Sequence, residues 1–545
     1  MTRHAASPPP PSASTPLLDR PRVAQGIVAL LVALGAVLRA PGFTAHNLWF
    51  DDAWAALPSK EPLRTALKMV ATTPLYSLGL RGFIALHPNA SWWAQLPAFV
   101  LGLAGIIVVA GSLAYLGYGR RTQLLGAALI ACSPVTITYA TRVKEYSCDV
   151  LLTCLLVVLA EWWRRAPSTR RALIVGVASA LAMATSSSTV VIAGALATAA
   201  VLWAVLVPPV RVQVASFLAV TGIGGLLTYA LFLDHLSPTL DVGWTTRGNL
   251  FSTASPHEMV FTLQQMFAGL PHFMLGIGDP VPSVGQPIVS RALVLAATSA
   301  LVLVVLVGNV VLGVAKQRQA TAAAPLIAAV GVCAAVGFAM AGISPFGGGR
   351  TDAYLYPLLV VLAAELYRAF GRWRPAGSRI DLACTAAVGA SLVGIGLLNP
   401  AAYPTQSLSS VTTPLHRLAP HAQLVVDPWL TYTWGLSGPT PTSVSFAKVY
   451  FPWSPGFHVV STTPRVTIST NYFFPSSAYA TLSRHTHLLW YLAATAGAIN
   501  TGAPNPSSVV VTRNLQTLLA LGWRPTGRRL VGLNVVAIEE RFVGR

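Results

Sequence analysis

Charge is what this sequence has little of. Lys, Arg, Asp and Glu together make up 10% of its 545 residues, where soluble globular proteins carry about 25%, and that excludes water as the main solvent. Acid is scarcer than base: 17 Asp and Glu stand against 36 Lys and Arg, for a net charge of +19. Nucleic acid is not the partner this implies, because the basic residues fall in short loops between apolar runs and form no basic helix face. Cysteine is sparse as well. The five, Cys132, Cys148, Cys154, Cys333 and Cys384, lie in or beside apolar segments without C-x-x-C or metal-ligand spacing, so they read as small buried hydrophobes. None lies beyond residue 400, so no disulfide braces that region.

What the chain has in quantity is apolar length. Hydrophobic residues make up 54% of it, and runs of about 20 such residues, each the length of a membrane helix, recur to residue 400. They fall at 23–38, 97–117, 122–140, 147–163, 172–186, 188–207, 213–233, 291–315, 323–342, 353–370 and 381–398. The expectation is therefore an α-helical polytopic membrane protein with about 11 transmembrane helices. Residues 1–22, rich in Pro and Ser, cannot bury a core and read as a disordered cytoplasmic tail. The first apolar run continues into RAPGFTAHNLWF without a small-residue cleavage site, so it reads as an uncleaved span.

Arg and Lys sort into alternate loops: Arg120 and Arg121; Arg164, Arg165, Arg170 and Arg171; Arg211; Lys316 and Arg318; Arg368, Arg372, Arg374 and Arg379. By the positive-inside rule these loops and the N-terminus are cytoplasmic. A transmembrane domain over 23–400 then has two long outer loops, 40–96 and 234–290, and residues 401–545 lie outside. In the first loop, Leu63, Leu67, Val70, Leu75 and Leu78 allow an amphipathic helix in the interface plane. Beyond 400, QLVVDP, SVVVTR and NVVAIEE read as short buried strands and NLQTLLALGW as a helix, which together predict a small extracytoplasmic α/β domain. Its aromatics, Trp429, Tyr432, Trp434, Tyr450 and Trp453, suit either acceptor binding or a packing lid.

Four segments carry candidate chemistry. In NLWFDDAWAA, Asp51 and Asp52 stand side by side just past the first span. They are either an acidic loop tip or helix N-cap, or a carboxylate pair between Trp49, Phe50 and Trp54 whose burial and mutual repulsion make one of them a general base. In SPVTITYATRVKEYSCDVLL, Arg142, Lys144, Glu145 and Asp149 sit at the mouth of a span, where ionisable residues are costly. They form either internal ion pairs or a cationic clamp for a lipid phosphate. In SPFGGGRTDAYLYP, three glycines precede Arg350, Asp352, Tyr354 and Tyr356, which is an anion-binding turn or an ordinary flexible one. In the second outer loop, Asp241, His257, Glu258, His272 and Asp279 match no metal-ligand spacing.

Taken in order, these segments resemble the GT-C glycosyltransferases, in the branch of the protein O-mannosyltransferases and bacterial aminoarabinose transferases. The resemblance runs over roughly residues 25–400. It is carried by the acidic pair Asp51–Asp52, by TTPLYSL from Thr72 to Leu78, by AQLPAF with Gln95 where the family has Arg, by the Ser-Pro turn and basic, Tyr-containing stretch from Ser133 to Ser147, and by Arg350 before a late span. The chain departs from the family at Asp52, where Glu is frequent, and at Gln95, and residues after 400 hold no family motif.

The resemblance implies inverting transfer of a monosaccharide from a polyprenyl-phosphate donor to an acceptor hydroxyl on the extracytoplasmic side of the plasma membrane. Asp51 is then the base and Asp52 the group that orients it. Arg142, Lys144 and Arg350 hold the donor phosphate, and Trp49, Trp54, Tyr76 and Glu145 contact sugar or acceptor. The partners are the polyprenyl-phosphate-linked sugar, the lipid bilayer, and a glycan, protein or lipid acceptor, with no nucleic acid. No cofactor is required, and a divalent metal is left open. Two other classes compete. A transporter or flippase of a lipid-linked saccharide predicts interrupted helices in two matching halves, and no such repeat is visible. It would also not need the acidic pair. A non-catalytic membrane scaffold would present the C-terminal domain to a partner.

Overall fold

The structure, a computed structural model of the whole chain, describes residues 20–43, 48, 50–60, 63, 72–88, 90–231, 250–276, 290–315, 323–347, 350–371, 379–400, 407, 409–418, 423–426, 430, 459–463, 466–469, 488–494, 515–532 and 535–543. Its helices are α1 (Pro21–Arg39), α2 (Phe50–Ala56), α3 (Pro74–Ala85), α4 (Ser91–Tyr115), α5 (Arg120–Cys132), α6 (Pro134–Tyr139), α7 (Tyr146–Arg165), α8 (Thr169–Thr185), α9 (Thr189–Leu206) and α10 (Arg211–Leu231). They continue with α11 (Pro256–Leu275), α12 (Ser290–Ala315), α13 (Ala323–Met340), α14 (Leu355–Gly371), α15 (Arg379–Leu398) and α16 (Ser409–Leu418). Every expected span has a helix at its place. Among the described residues, seven are long and apolar enough to cross a membrane: α1 extended to Gly42, α4, α7, α9, α10, α12 and α13. In the other four places stand α8, α14 and α15, and the run 122–140, which is divided into α5 and α6.

Pro134 makes that division. It restricts Ser133 to extended backbone (φ −68°, ψ 133°), so α5 stops at Cys132 and leaves carbonyls open inside the bundle. Arg39, fully buried at the end of α1, closes them: its Nη atoms donate to Ala131 O and Ile130 O at 2.8 Å and to Gly35 O at 3.0 Å. Thr136 Oγ1 adds a bond to Ile130 O at 2.7 Å. A buried arginine whose Nη atoms are held by carbonyls is one of the few forms in which a charge is tolerated at such depth.

The end of the bundle that carries the arginine-rich loops is an aromatic belt. Arg165 stacks over Tyr115 at 4.6 Å, Arg171 over Trp162 at 4.2 Å and Arg368 over Tyr118 at 4.4 Å. Glu161 bonds Arg164 and Arg165, and Glu365 bonds Arg368 and the Tyr118 hydroxyl. Aromatic rings beside basic side chains are the usual furnishing of a membrane–water interface.

Two helices depart from the sequence expectation. The stretch expected to lie in the interface plane falls mostly outside the described residues, and the described helix of this loop, α3, begins later, at Pro74. Pro at its first turn fills a position whose N–H has no helical acceptor. The loop 234–290 holds a 20-residue helix, α11, that hydropathy alone did not separate from loop. Ser255 caps it by accepting from the Glu258 amide at 3.1 Å, Pro256 follows the cap, and Gly276 ends it at φ +65°.

After α16 comes a six-stranded sheet of order β2-β3-β1-β4-β6-β5. Its strands are β1 (Gln423–Val426), β2 (Val459–Thr463), β3 (Val466–Ser469), β4 (Leu488–Ala494), β5 (Trp523–Val531) and β6 (Val535–Phe542). β1 pairs parallel to β3 and β4, and the other pairings are antiparallel. The expected strands at 423 and 535 are β1 and β6, and residues 515–520 form the expected helical turn. SVVVTR lies outside the described residues. The side chains of β4 alternate, as the pleat requires. Leu489, Tyr491 and Ala493 share a cluster with Leu518 and Trp523, whereas Trp490 and Leu492 point into a second cluster with Val426, Val535 and Ala537. That second cluster also contains Val411 and Leu415 of α16, and it runs on into Ala53, Ala55, Ala56 and Leu57 of α2 and its end, and Tyr76, Leu80 and Ile84 of α3. One face of the sheet and the first outer loop therefore have a common core.

Candidate active site

The site is built where α2 meets the 141–145 loop. Asp52, fully buried, accepts from Arg142 Nε at 2.7 Å on Oδ2 and from the Val143 amide at 2.6 Å on Oδ1. Two residues along each segment, the Lys144 ammonium lies 4.8 Å from the centre of the Trp54 ring. Arg142, Lys144 and Glu145 are all buried. Alternate residues of α2 thus meet alternate residues of the loop, one rung an ion pair and the other a cation–π contact.

Gln95, at the position where the resembled family has a cation, is what holds that loop. Its Nε2 donates to Thr141 O at 2.8 Å and to Gly42 O at 3.2 Å, tying the end of α1 to the start of the loop. The two backbones lie so close that a Cβ at Gly42 meets the whole Thr141 side chain.

Tyr76 enters the same region from α3, with 7% of its surface exposed. Burial pushes its hydroxyl well above the usual phenol value, and Cys148, Glu145 and Asp52 push the same way. The hydroxyl has no hydrogen-bond partner among the described residues. Its helix is pinned from two sides: Thr73 Oγ1 donates to Thr185 O at 2.5 Å, and Arg81 Nη1 donates to Pro58 O at 2.9 Å. Asp149, fully buried on the first turn of α7, accepts from Ser186 Oγ. The Ser-rich break between α8 and α9 is therefore fastened both to α7 and to the first outer loop.

The sequence candidates divide accordingly. Asp52, Trp54, Tyr76, Arg142, Lys144 and Glu145 come together. Asp51 lies in the first turn of α2, but its side chain, that of Arg350 and all of Trp49 fall outside the described residues, as do the aromatics from Trp429 to Trp453. The first of the glycines before Arg350 has a packing reason: Gly347, at φ +75°, abuts the Met266 carbonyl of α11, and a Cβ at Gly269 collides with the Gly347 carbonyl. Glu258 serves the N-terminus of α11, its Oε2 accepting from Ser252 Oγ at 2.6 Å. Among the described residues no group of three or more His, Cys, Asp or Glu is arranged to hold a metal.

Sequence reasoning passed over Arg39 and, though it singled out Asp149, did not foresee its bond with Ser186; it read Gln95 only as a lost cation. The one available signal was their type: a lone Arg, Gln or Asp at the edge of an apolar run is costly enough to need a partner.

No protein-family model and no curated protein matches the chain. Among solved structures, ArnT from Cupriavidus metallidurans bound to undecaprenyl phosphate is similar over 95% of this chain and 98% of its own, with a TM-score of 0.52 at 14% identity. ArnT in its apo state covers the same shares with a TM-score of 0.48 at 12% identity. The Archaeoglobus fulgidus oligosaccharyltransferase in its apo form is similar over 76% of this chain, with a TM-score of 0.46 at 13% identity, and this chain spans 64% of its length. The fold shared with ArnT along nearly the full length of both chains, together with the apolar helices, makes this chain a polytopic membrane protein with the GT-C fold.

Proposed function

We propose that the protein is a membrane glycosyltransferase that moves a monosaccharide from a polyprenyl-phosphate donor to an acceptor hydroxyl, with inversion, on the extracytoplasmic side. The observation that carries this reading is the 2.7 Å pair of Asp52 and Arg142. It joins the acidic helix after the first span to the cationic loop after the Ser-Pro turn, the two motifs such a reaction needs at one place. ArnT, with the same fold, binds undecaprenyl phosphate, and the cations here suit that headgroup.

The hydrogen bonds at Asp52 support different roles for the two acids. Both oxygens of Asp52 already accept strong hydrogen bonds, which weakens it as a base and suits it to hold Arg142 and the acceptor in place. Asp51 is the base that takes the acceptor proton as the hydroxyl oxygen attacks the anomeric carbon. The carbon–oxygen bond to the lipid phosphate breaks on the opposite face, and the negative charge gathering on the phosphate is stabilised by Arg142, Lys144 and Arg350. Trp54 and Tyr76 wall the sugar, with Glu145 beside them.

Incubation of the purified protein with a panel of polyprenyl-phosphate sugars, reading donor turnover, tests this. Turnover is expected with one donor class and is expected to fall on the order of 10²–10⁴-fold in Asp51→Ala, with donor binding retained. Full turnover in both Asp51→Ala and Asp52→Ala removes the proposed base.

A further inference from the structure

The strand order of the C-terminal sheet reverses direction at β1. That strand lies between β3 and β4 and runs parallel to both. From β1 the chain goes to β2 and β3 on one side, and then crosses to β4 and the strands beyond it on the other. Connections that leave neighbouring strands in opposite directions open a crevice outside the carboxyl ends, and it is there that open α/β sheets hold their ligands. The register deepens this crevice. Val426, the last residue of β1, is level with Ile468 and Leu492, so β3 runs on by one residue, Ser469, and β4 by two, Ala493 and Ala494. The end of β1 is therefore a notch between two longer strands.

The residues next in sequence supply its chemistry. Asp427, Pro428 and Trp429 follow β1, and Asn471 and Tyr472 come just after β3. They lie outside the described residues, whereas the strand ends they follow lie within them. A dinucleotide does not suit the turn after β1, which has no glycine and in which Pro428 has no N–H to offer a phosphate. An anion does not suit it either, because Asp427 brings a negative charge. A carboxylate and an amide beside aromatic rings fit a neutral ligand with hydroxyls at its edge and apolar faces. We propose that this notch is a saccharide-binding site, in which Asp427 and Asn471 bond hydroxyls and Trp429 stacks on a sugar ring. One face of the same sheet shares its core with α2 and α3, so the site belongs to the body that carries the candidate active site. The proposal does not depend on the transferase reading; where that reading holds as well, the acceptor is a glycan.

The test is binding of the full chain in detergent to an array of immobilised neutral and anionic oligosaccharides. The wild type is expected to bind at least one neutral oligosaccharide. Its affinity for that glycan is expected to fall about tenfold or more in Asp427→Ala and in Trp429→Ala. Asp427→Asn, which keeps the shape and one acceptor oxygen, is expected to lose less. An array on which the protein binds anionic oligosaccharides alone, or none, overturns the proposal. Unchanged affinity in Asp427→Ala and Trp429→Ala also overturns it, and Asp427→Ala decides by itself if Trp429→Ala does not fold. Displacement of the glycan by excess undecaprenyl phosphate overturns it too, since the glycan then sits at the donor site. Glycan binding that persists while no polyprenyl-phosphate sugar is turned over counts against the transferase reading alone.

Discussion

Single residues in this protein are legible when their cost is high. An ionisable side chain inside an apolar environment has to be neutralised, paired or hydrogen-bonded, and Asp52, Arg142 and Arg39 each show one of the last two. Glu540 shows the first. It sits in β6 opposite Leu489 and Pro525, 3% exposed, and burial pushes its carboxyl from 4.5 up to about 7, against the opposing pull of Arg524. Because the folded value is raised, the folded state holds its proton where the unfolded chain has lost it. Stability from this group is therefore full below about pH 4.5 and is lost as pH rises to about 7. Thermal midpoints of the wild type minus those of Glu540→Gln, taken from pH 4 to 8, are expected to fall through that window and level off above it. A difference that stays flat across the series removes this account of Glu540.

Elements were legible where the pattern is long and were missed where it is short or interrupted. The expected spans all have helices because a run of about 20 apolar residues has few other solutions in lipid. α11 was missed because its face toward the bundle, with Met266, Leu270 and Met274, is interleaved with Gln264, Gln265 and His272, a mixed pattern that reads equally as a polar loop. The break at Ser133 is the case where sequence and structure teach each other most. The Ser-Pro pair belongs to the family-like motif, and its physical consequence is a helix end inside the bundle that Arg39 closes with help from Thr136. Arg39→Met keeps length and removes the donors, leaving the Ala131 carbonyl open and the Ile130 carbonyl with Thr136 alone. The expected cost is about 3 kcal/mol, seen as a lowered melting temperature in detergent. Cys132, at that helix end and fully buried, is expected to become reactive to maleimide, located by mass spectrometry of the labelled peptide. Arg39→Lys, which reaches one carbonyl, is expected to fall between. Unchanged Cys132 labelling in Arg39→Met would mean that the break is held by something else.

At the scale of the whole molecule, the membrane class came from hydropathy, and the ordered motifs pointed to the fold shared with ArnT. The site was legible in part: Asp52 with Arg142, and Trp54 with Lys144, meet as the motif order implied. Gln95 and Asp149 do their work through backbone and hydroxyl contacts that no spacing encodes. The least legible feature was how the C-terminal sheet relates to the bundle, because a cluster assembled from residues more than 400 positions apart leaves no periodic trace. Trp490 is fully buried in that cluster, with Leu492, Val535 and Ala537 on its own face and Ala53, Ala56 and Leu57 from the acidic helix. α2 has only 7 residues, too few to persist by itself, so its order comes from what it packs on. The sheet is therefore expected to share, with the 141–145 loop, in positioning Asp52. Trp490→Ala leaves a cavity expected to cost about 3–5 kcal/mol, and the part felt by α2 is separable. Amides of residues 50–57 are expected to exchange at least tenfold faster while those of α4 keep their protection. Sugar transfer is expected to fall in kcat with little change in donor KM, and Trp490→Phe is expected to recover most of both. If α2 exchanges at the wild-type rate in Trp490→Ala, the sheet is a passenger and the acidic helix owes its order to the 141–145 loop alone.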